Sequence, residues 1–256
     1  MRTKDSSPPA ELAHRPLSTR SVILSLLLAM HPPQLSVRQL IRCVQPLGVV
    51  EATLRVALSR MVASGDLHRA DSVYGLNDRL VERQHRQDDA IHPRTNAWRG
   101  GWEMAVITAT GRRPAERAQL REELSRLRLA EFREGVWLRP ANLRRAWPDH
   151  LVALTQRFTA RPDEPHEAIA DKLWNIGGWA ATATGLLTAF NTAAQPIDSF
   201  TVAAAIVRHL LTDPVLPDQL LPTDWPAPHL RAAYARYRND VLQLARSGRN
   251  ATEKSA

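Results

Sequence analysis

Residues 48–77, GVVEATLRVALSRMVASGDLHRADSVYGLN, decide the fold, because they read as a helix with a polar outer face followed by a short hairpin. Val50, Leu54, Ala57, Leu58 and Met61 recur at helical spacing and make one apolar stripe, while Ala52, Arg55, Val56, Ser59 and Ala63 fall opposite. That outer face is small, with a basic edge. A helix entering a DNA major groove needs such a face: small side chains let the backbone approach, and a few long donors reach base edges and phosphates. Gly65 is placed to stop the helix. Beyond it, Asp66 to Ala70 and Val73 to Asn77 read as strands joined at Asp71-Ser72, which puts His68 and Arg69 near the tip of a wing. Any amphipathic helix with a hairpin would show this much, so the flanks decide.

Upstream, Ser18 or Thr19 can cap a first helix whose Val22, Ile23, Leu26, Leu27 and Met30 point inward, with Pro32-Pro33 as the stop. Ser36 and Gln39 form a capping box, with Leu35 and Leu40 as its hydrophobic staple, so a second helix starts at Ser36 and ends by Pro46. Pro46-Leu47-Gly48 then forces a sharp turn into the helix quoted above. Helix, helix, tight turn, helix, hairpin is the order of a winged helix-turn-helix. Between Ser36 and Ala70, Arg38, Arg42, Arg55, Arg60 and Arg69 face only Glu51 and Asp66, an excess suited to phosphate.

The whole chain of 256 residues carries a formal net charge of +8, which attracts acidic partners, nucleic acid foremost. Its single cysteine, Cys43, excludes a disulfide framework and a thiolate metal cluster, and favours a cytoplasmic protein. The apolar run Val22 to Met30 is too short to cross a bilayer, and a helix start in place of a cleavage site argues against a signal peptide. No membrane association is expected.

Residues 78–92 read as a polar connecting helix and linker. Trp102 to Ala109 alternates like a strand, the stretch after Pro114 is a helix with Leu120, Leu124, Leu127 and Leu129 inward, and 135–140 and 151–159 read as further strands. With another strand and a short helix over 165–173, these give a ferredoxin-like α/β sandwich. From 175 on the pattern is helical, over 179–192, 200–211 and 228–244, with the four prolines of 213–226 stiffening an ordered connection. The expected fold class is α+β. Its parts are a disordered arm at 1–17, a winged helix-turn-helix domain with its connecting helix at 18–92, a ferredoxin-like domain at 93–174, a C-terminal helical domain at 175–246, and a frayed tail at 247–256.

Three stretches carry a resemblance to a known family: EATLRVALSRMVASGDL at 51–67, LREELSRLRLAEFREGVWLRPANL at 120–143, and DPVLPDQLLPTDWP at 213–226. The chain resembles the PaaX family, bacterial repressors of phenylacetic acid degradation genes, over about residues 18–245. The resemblance implies a winged helix, a ferredoxin-like middle, a helical C-terminal domain, a homodimer and an acyl-CoA effector, phenylacetyl-CoA in the best-known members. The chain departs from the family pattern at Arg128-Leu129, where members commonly carry Gly-Phe, and at Ala204 and Val207, where a His and an Arg are frequent.

Enzyme readings need a constellation, and none is present. The histidines show no metal-ligand spacing, and Glu82-Arg-Gln-His85 is half a di-metal motif on a solvated helix. No nucleophile elbow, P-loop or dinucleotide fingerprint occurs. Ferredoxin-like domains of this kind resemble those of CRISPR-associated nucleases, which use an acid at the end of the first strand; here Thr108-Ala109-Thr110 stands there.

The expected protein is therefore not an enzyme and holds no cofactor or metal. It is a transcriptional regulator, a repressor binding double-stranded operator DNA as a homodimer and released by an aryl-acyl-CoA. The expected DNA contacts are Arg38, Arg42, Thr53, Arg55, Ser59, Arg60 and Arg69. Trp102, Trp137, Trp174 and Trp179 are the candidates for an aromatic effector wall, although a tryptophan of this kind more often fills a core. The alternative is a small-molecule (acyl-CoA) binding protein or enzyme whose winged helix is structural.

Overall fold

The long apolar stripe of the first helix organises the N-terminal half of the chain. In the computed structural model, which describes residues 18–247, helix α1 (Thr19–Ala29) begins where Ser18 Oγ accepts from the Ser21 backbone amide at 3.2 Å. It buries Val22, Ile23, Leu24 and Leu26 through Ala29. The expected arm at 1–17 and all of the expected tail beyond residue 247 lie outside the described residues.

Helix α2 (Val37–Val44) starts at the predicted capping box: the Ser36 amide donates to Gln39 Oε1 at 2.8 Å, and the Gln39 amide to Ser36 Oγ at 3.3 Å. A 3-10 turn (Gln45–Leu47) and Gly48, at φ +76°, then redirect the chain into helix α3 (Glu51–Ala63). Leu54, Leu58 and Met61 of α3 are fully buried on the expected stripe. Val50 is not part of it. It precedes the first helical residue in extended backbone and is 64% exposed.

Strands β2 (Leu67–Ala70) and β3 (Val73–Leu76) form the wing hairpin, turning at Asp71, whose φ is +55°. A third strand that sequence reading missed, β1 (Gln34–Ser36), pairs antiparallel with β3, giving the order β1-β3-β2. Three residues are too few to show alternation, and Ser36 serves both strand and helix cap. Helix α4 (Asp78–Ile91) follows. Its polar composition hides a function: buried Gln84 donates to the carbonyls of Leu28 (2.9 Å) and Met30 (2.7 Å), satisfying the end of α1.

Strand β4 (Trp102–Ile107), helix α5 (Pro114–Arg126), β5 (Ala130–Arg133), β6 (Val136–Pro140), one-turn α6 (Asp149–Val152) and β7 (Thr155–Ala160) make an antiparallel sheet of order β5-β6-β4-β7. This is the ferredoxin-like βαββαβ arrangement. Two details differ from the sequence reading. Residues 130–133 are a strand, because the helix ends at Leu127 and Arg128 takes φ +65°, so Leu129 packs from beyond the helix. Leu151 belongs to α6, the strand starting only at Thr155. The sheet is covered on both faces: Trp102 and Leu138 join one apolar cluster, Ala105 and Trp137 the other.

Helices α7 (His166–Leu173), α8 (Ile176–Thr192), α9 (Pro196–Leu210) and α10 (Ala227–Arg246) complete the fold. Contacts divide the described chain into two units, residues 18–91, 181–211 and 226–247 in one, 92–180 and 212–225 in the other, with the division falling inside α8. In the first unit, Phe200, Val241 and Ala245 enter the same core as Leu26, Leu40, Leu54 and Leu58. In the second, the proline-rich 213–225 segment is bound by a buried guanidinium. Arg139 donates to the carbonyls of Val215 (3.2 Å) and Pro140 (3.0 Å) and to Asn142 Oδ1 (2.9 Å), and Asn142 Nδ2 also donates to the Val215 carbonyl at 3.1 Å. Arg128 adds a bond to the Asp213 carbonyl.

Candidate nucleic-acid interface

The outward side of α3 is open along its length: Ala52, Thr53, Arg55, Val56, Ser59, Arg60 and Ala63 are all exposed. It presents two arginines, two hydroxyls, and small or branched apolar groups, the set that reaches guanine edges, phosphates and thymine methyls. Val56 is 51% exposed although aliphatic, which no packing role among the described residues explains.

Thr53, Arg55, Ser59 and Arg60 thus share one helix face. Arg55 is tied to Glu51 one turn earlier, and Ser59 Oγ donates to the Arg55 carbonyl at 3.1 Å. Arg38, on α2, is exposed. Among the described residues neither Arg38 nor Arg60 has an ion-pair partner. Arg69 lies on the wing, where its Nε donates to the Asp71 carbonyl at 2.7 Å and its guanidinium sits 5.7 Å from the Tyr74 ring centre. Behind it the exposed His68 ring lies over Gly75, where an added Cβ would come within 2.5 Å of the imidazole and turn the ring aside.

Arg42 does not join this set. It is half-buried, and its Nη2 donates to the Ala245 carbonyl at 3.0 Å, a cation at the carbonyl end of α10. Helical spacing put Arg42 one turn after Arg38, but the packing of α10 on α2 was invisible in sequence.

The two acids of the module are both neutralised. Glu51 holds Arg55, and the buried Asp66 carboxylate sits between Arg20 (2.8 Å) and Arg79 (2.9 Å). The Arg20 hydrogen bond, with help from Ser64, holds Asp66 below the usual carboxylate range despite its burial. Arg20 and Arg79 escaped the sequence reading because their partner lies 46 and 13 residues away.

The four tryptophans are distributed. Trp102 stacks on Trp174 with ring centres 6.4 Å apart and donates to His166 Nδ1 at 3.1 Å. Trp137 lies in the cluster on the other sheet face, and Trp179 stacks on Trp225 at 4.5 Å. The structure therefore brings Trp102 and Trp174 together, and not Trp137 with them. No cluster of three or more metal-ligating side chains occurs among the described residues, and no described helix is long and apolar enough to cross a membrane.

A helix presented by a helix-turn-helix, flanked by a three-stranded wing and followed by a ferredoxin-like sheet and a set of C-terminal helices, defines a three-part winged-helix protein. The chain belongs to the PaaX-like family, whose members are typically transcriptional regulators. Three family models match in order: the PaaX-like protein model over residues 18–80, the PaaX protein central Cas2-like domain over 95–167, and the PaaX-like protein C-terminal domain over 176–250. Among solved structures, the chain is 44% identical to the uncharacterized protein Rv0674 from Mycobacterium tuberculosis, with a TM-score of 0.80 covering 90% of this chain and 98% of that one. A search of curated proteins found no match.

Proposed function

We propose that the protein is a repressor that binds operator DNA as a homodimer, inserting α3 of each copy into the major groove, and that an aryl-acyl-CoA such as phenylacetyl-CoA releases it. The observation that carries the reading is the open face of α3, on which Thr53, Arg55, Ser59 and Arg60 stand together with an exposed, otherwise unexplained Val56. Base edges are read by Arg55 and Ser59, phosphates by Arg38, Arg60 and Arg69, and Thr53 stands at the entry of the helix. Arg42 contributes through its hold on α10. Family membership supports the regulatory role, and the resemblance described above supports the effector class.

A homodimer of this kind reads inverted half-sites whose centres lie one helical turn, or a multiple of it, apart. Footprinting of the DNA upstream of the protein's own gene tests this. Two protected, inverted half-sites that disappear on addition of phenylacetyl-CoA are the expected result. A single unpaired footprint would remove the dimeric reading, and one indifferent to every aryl-acyl-CoA would remove the effector.

A further inference from the structure

The first unit contains a cavity that the DNA-binding reading does not use. It holds about 60 Å³ among α1, α4, α9 and α10 and opens to solvent, with the exposed Arg83 and Arg208 at its mouth. Its inner part is lined by Leu26, Phe200, Val207, Tyr234 and Tyr237, while Ser25, Gln87, Arg83 and Arg208 add polar groups to the lining.

Neither guanidinium has a carboxylate partner among the described residues. The charges acting on Arg83 are those of Arg86, Arg20, Arg208 and Arg79, all of the same sign, and burial together with these holds its pKa below the ordinary value. Arg20 and Arg79 are answered by Asp66, and Asp88, the acid that acts on Tyr234, is bound to His31 at 2.9 Å. Arg83 and Arg208 are therefore left without an anion. The Tyr234 and Tyr237 hydroxyls make no hydrogen bond to the rest of the described protein, and burial pushes Tyr234 up to about 12 and Tyr237 higher. Both stay neutral donors at physiological pH.

Cations at the open mouth of a pocket with an apolar inner part and two hydroxyl donors match an amphiphilic acid better than a bare phosphate. The acid fills the inner part with its body and keeps its charge at the solvated mouth, whereas a phosphate leaves the apolar part unfilled. We propose that this cavity is a binding site for a small monocarboxylate with an apolar body, whose carboxylate is held by Arg83 and Arg208 and whose body lies against Phe200, Val207 and the two tyrosines. The site stands on its own geometry and does not depend on the operator reading. It has a route to α3 all the same, because α1 supplies Leu26 to the cavity and packs against α3 in the same core.

Isothermal titration of the full chain with benzoate and hexanoate, with benzamide and hexanamide as uncharged counterparts and inorganic phosphate as a bare anion, tests the site. Saturable binding of at least one acid at one site per chain is expected, with neither its amide nor phosphate bound. Arg83→Gln and Arg208→Gln should each weaken that binding about tenfold or more, since each loses a charge-assisted bond. Neither guanidinium bonds to another described residue, so both variants should fold. Ala204→Phe, which fills the chamber, should abolish binding. Absence of saturable binding by either acid, equal binding of the amides or of phosphate, or acid binding indifferent to both arginine variants would each overturn the proposal.

Discussion

Arg55 is bound to Glu51 across one turn of α3, its Nη2 and Nε donating to the same carboxylate oxygen at 2.6 and 2.8 Å. Both side chains are more than half exposed, so the pair adds little to stability. Its consequence is for DNA. The arginine is held along the helix face, and a carboxylate stands on the surface proposed to meet DNA.

Glu51→Gln should free Arg55 and remove that negative charge. Affinity for random duplex should rise, and the dependence of log K on log salt should steepen by about one unit. Arg55→Ala should instead weaken operator binding by about 1–3 kcal/mol with an unchanged melting temperature. Equal affinity for wild type and Arg55→Ala would take Arg55 off the contact surface.

Asp66 makes stability pH-dependent. Its pKa is depressed in the folded state, chiefly by Arg20, so its contribution is present above the ordinary aspartate value of about 3.9 and is lost as pH falls through the folded pKa. Because Arg20 and Arg79 are more than half exposed, the contribution is modest. Asp66→Asn should cost about 1 kcal/mol at pH 7, and the gap to wild type should close in acid; urea melts at pH 7 and pH 3 measure both. A constant gap would mean that the loss is not ionic.

Arg139 is fully buried, and burial pushes its pKa down to about 9, still charged at neutral pH. Arg139→Met should destabilise the protein by on the order of 3 kcal/mol, because Val215, Pro140 and Asn142 lose their donor inside the protein. Arg128 adds a subtler case. At φ +65° it pays for a backbone that glycine adopts freely, so Arg128→Ala should cost more than Arg128→Gly, which relieves strain while losing the same bond. Denaturant midpoints that ranked alanine above glycine would contradict this.

Cys43 is 3% exposed, and burial pushes its thiol up to about 11. Alkylation of the native protein by iodoacetamide should run about a hundredfold or more slower than that of an unfolded control. Comparable rates would show that α2 opens readily.

Where local rules govern, the sequence was legible. Ser36 and Gln39 announced the start of α2, Leu54, Leu58 and Met61 the inner face of α3, and Gly65 its end. Partners distant in sequence were not. Arg42 looked free because Ala245 is 203 residues away, and Gln84 looked like a surface residue because the carbonyls it satisfies belong to α1. Strand β5 was hidden by one residue: Arg128 takes the left-handed turn that a glycine would have advertised. The ordered prolines of 213–226 were read correctly, but their cause, a buried arginine on β6, has no periodic signature.

The central claim is that α3 reads DNA. Fluorescence anisotropy on a labelled duplex from just upstream of the protein's own gene, with a random duplex beside it and across a salt series, tests it most directly. The account predicts binding at least about a thousandfold tighter to the upstream duplex, a salt slope of several units, and a slope about one unit smaller for Arg60→Ala. Weak binding, equal on both duplexes and unaffected by Arg60→Ala, would contradict it.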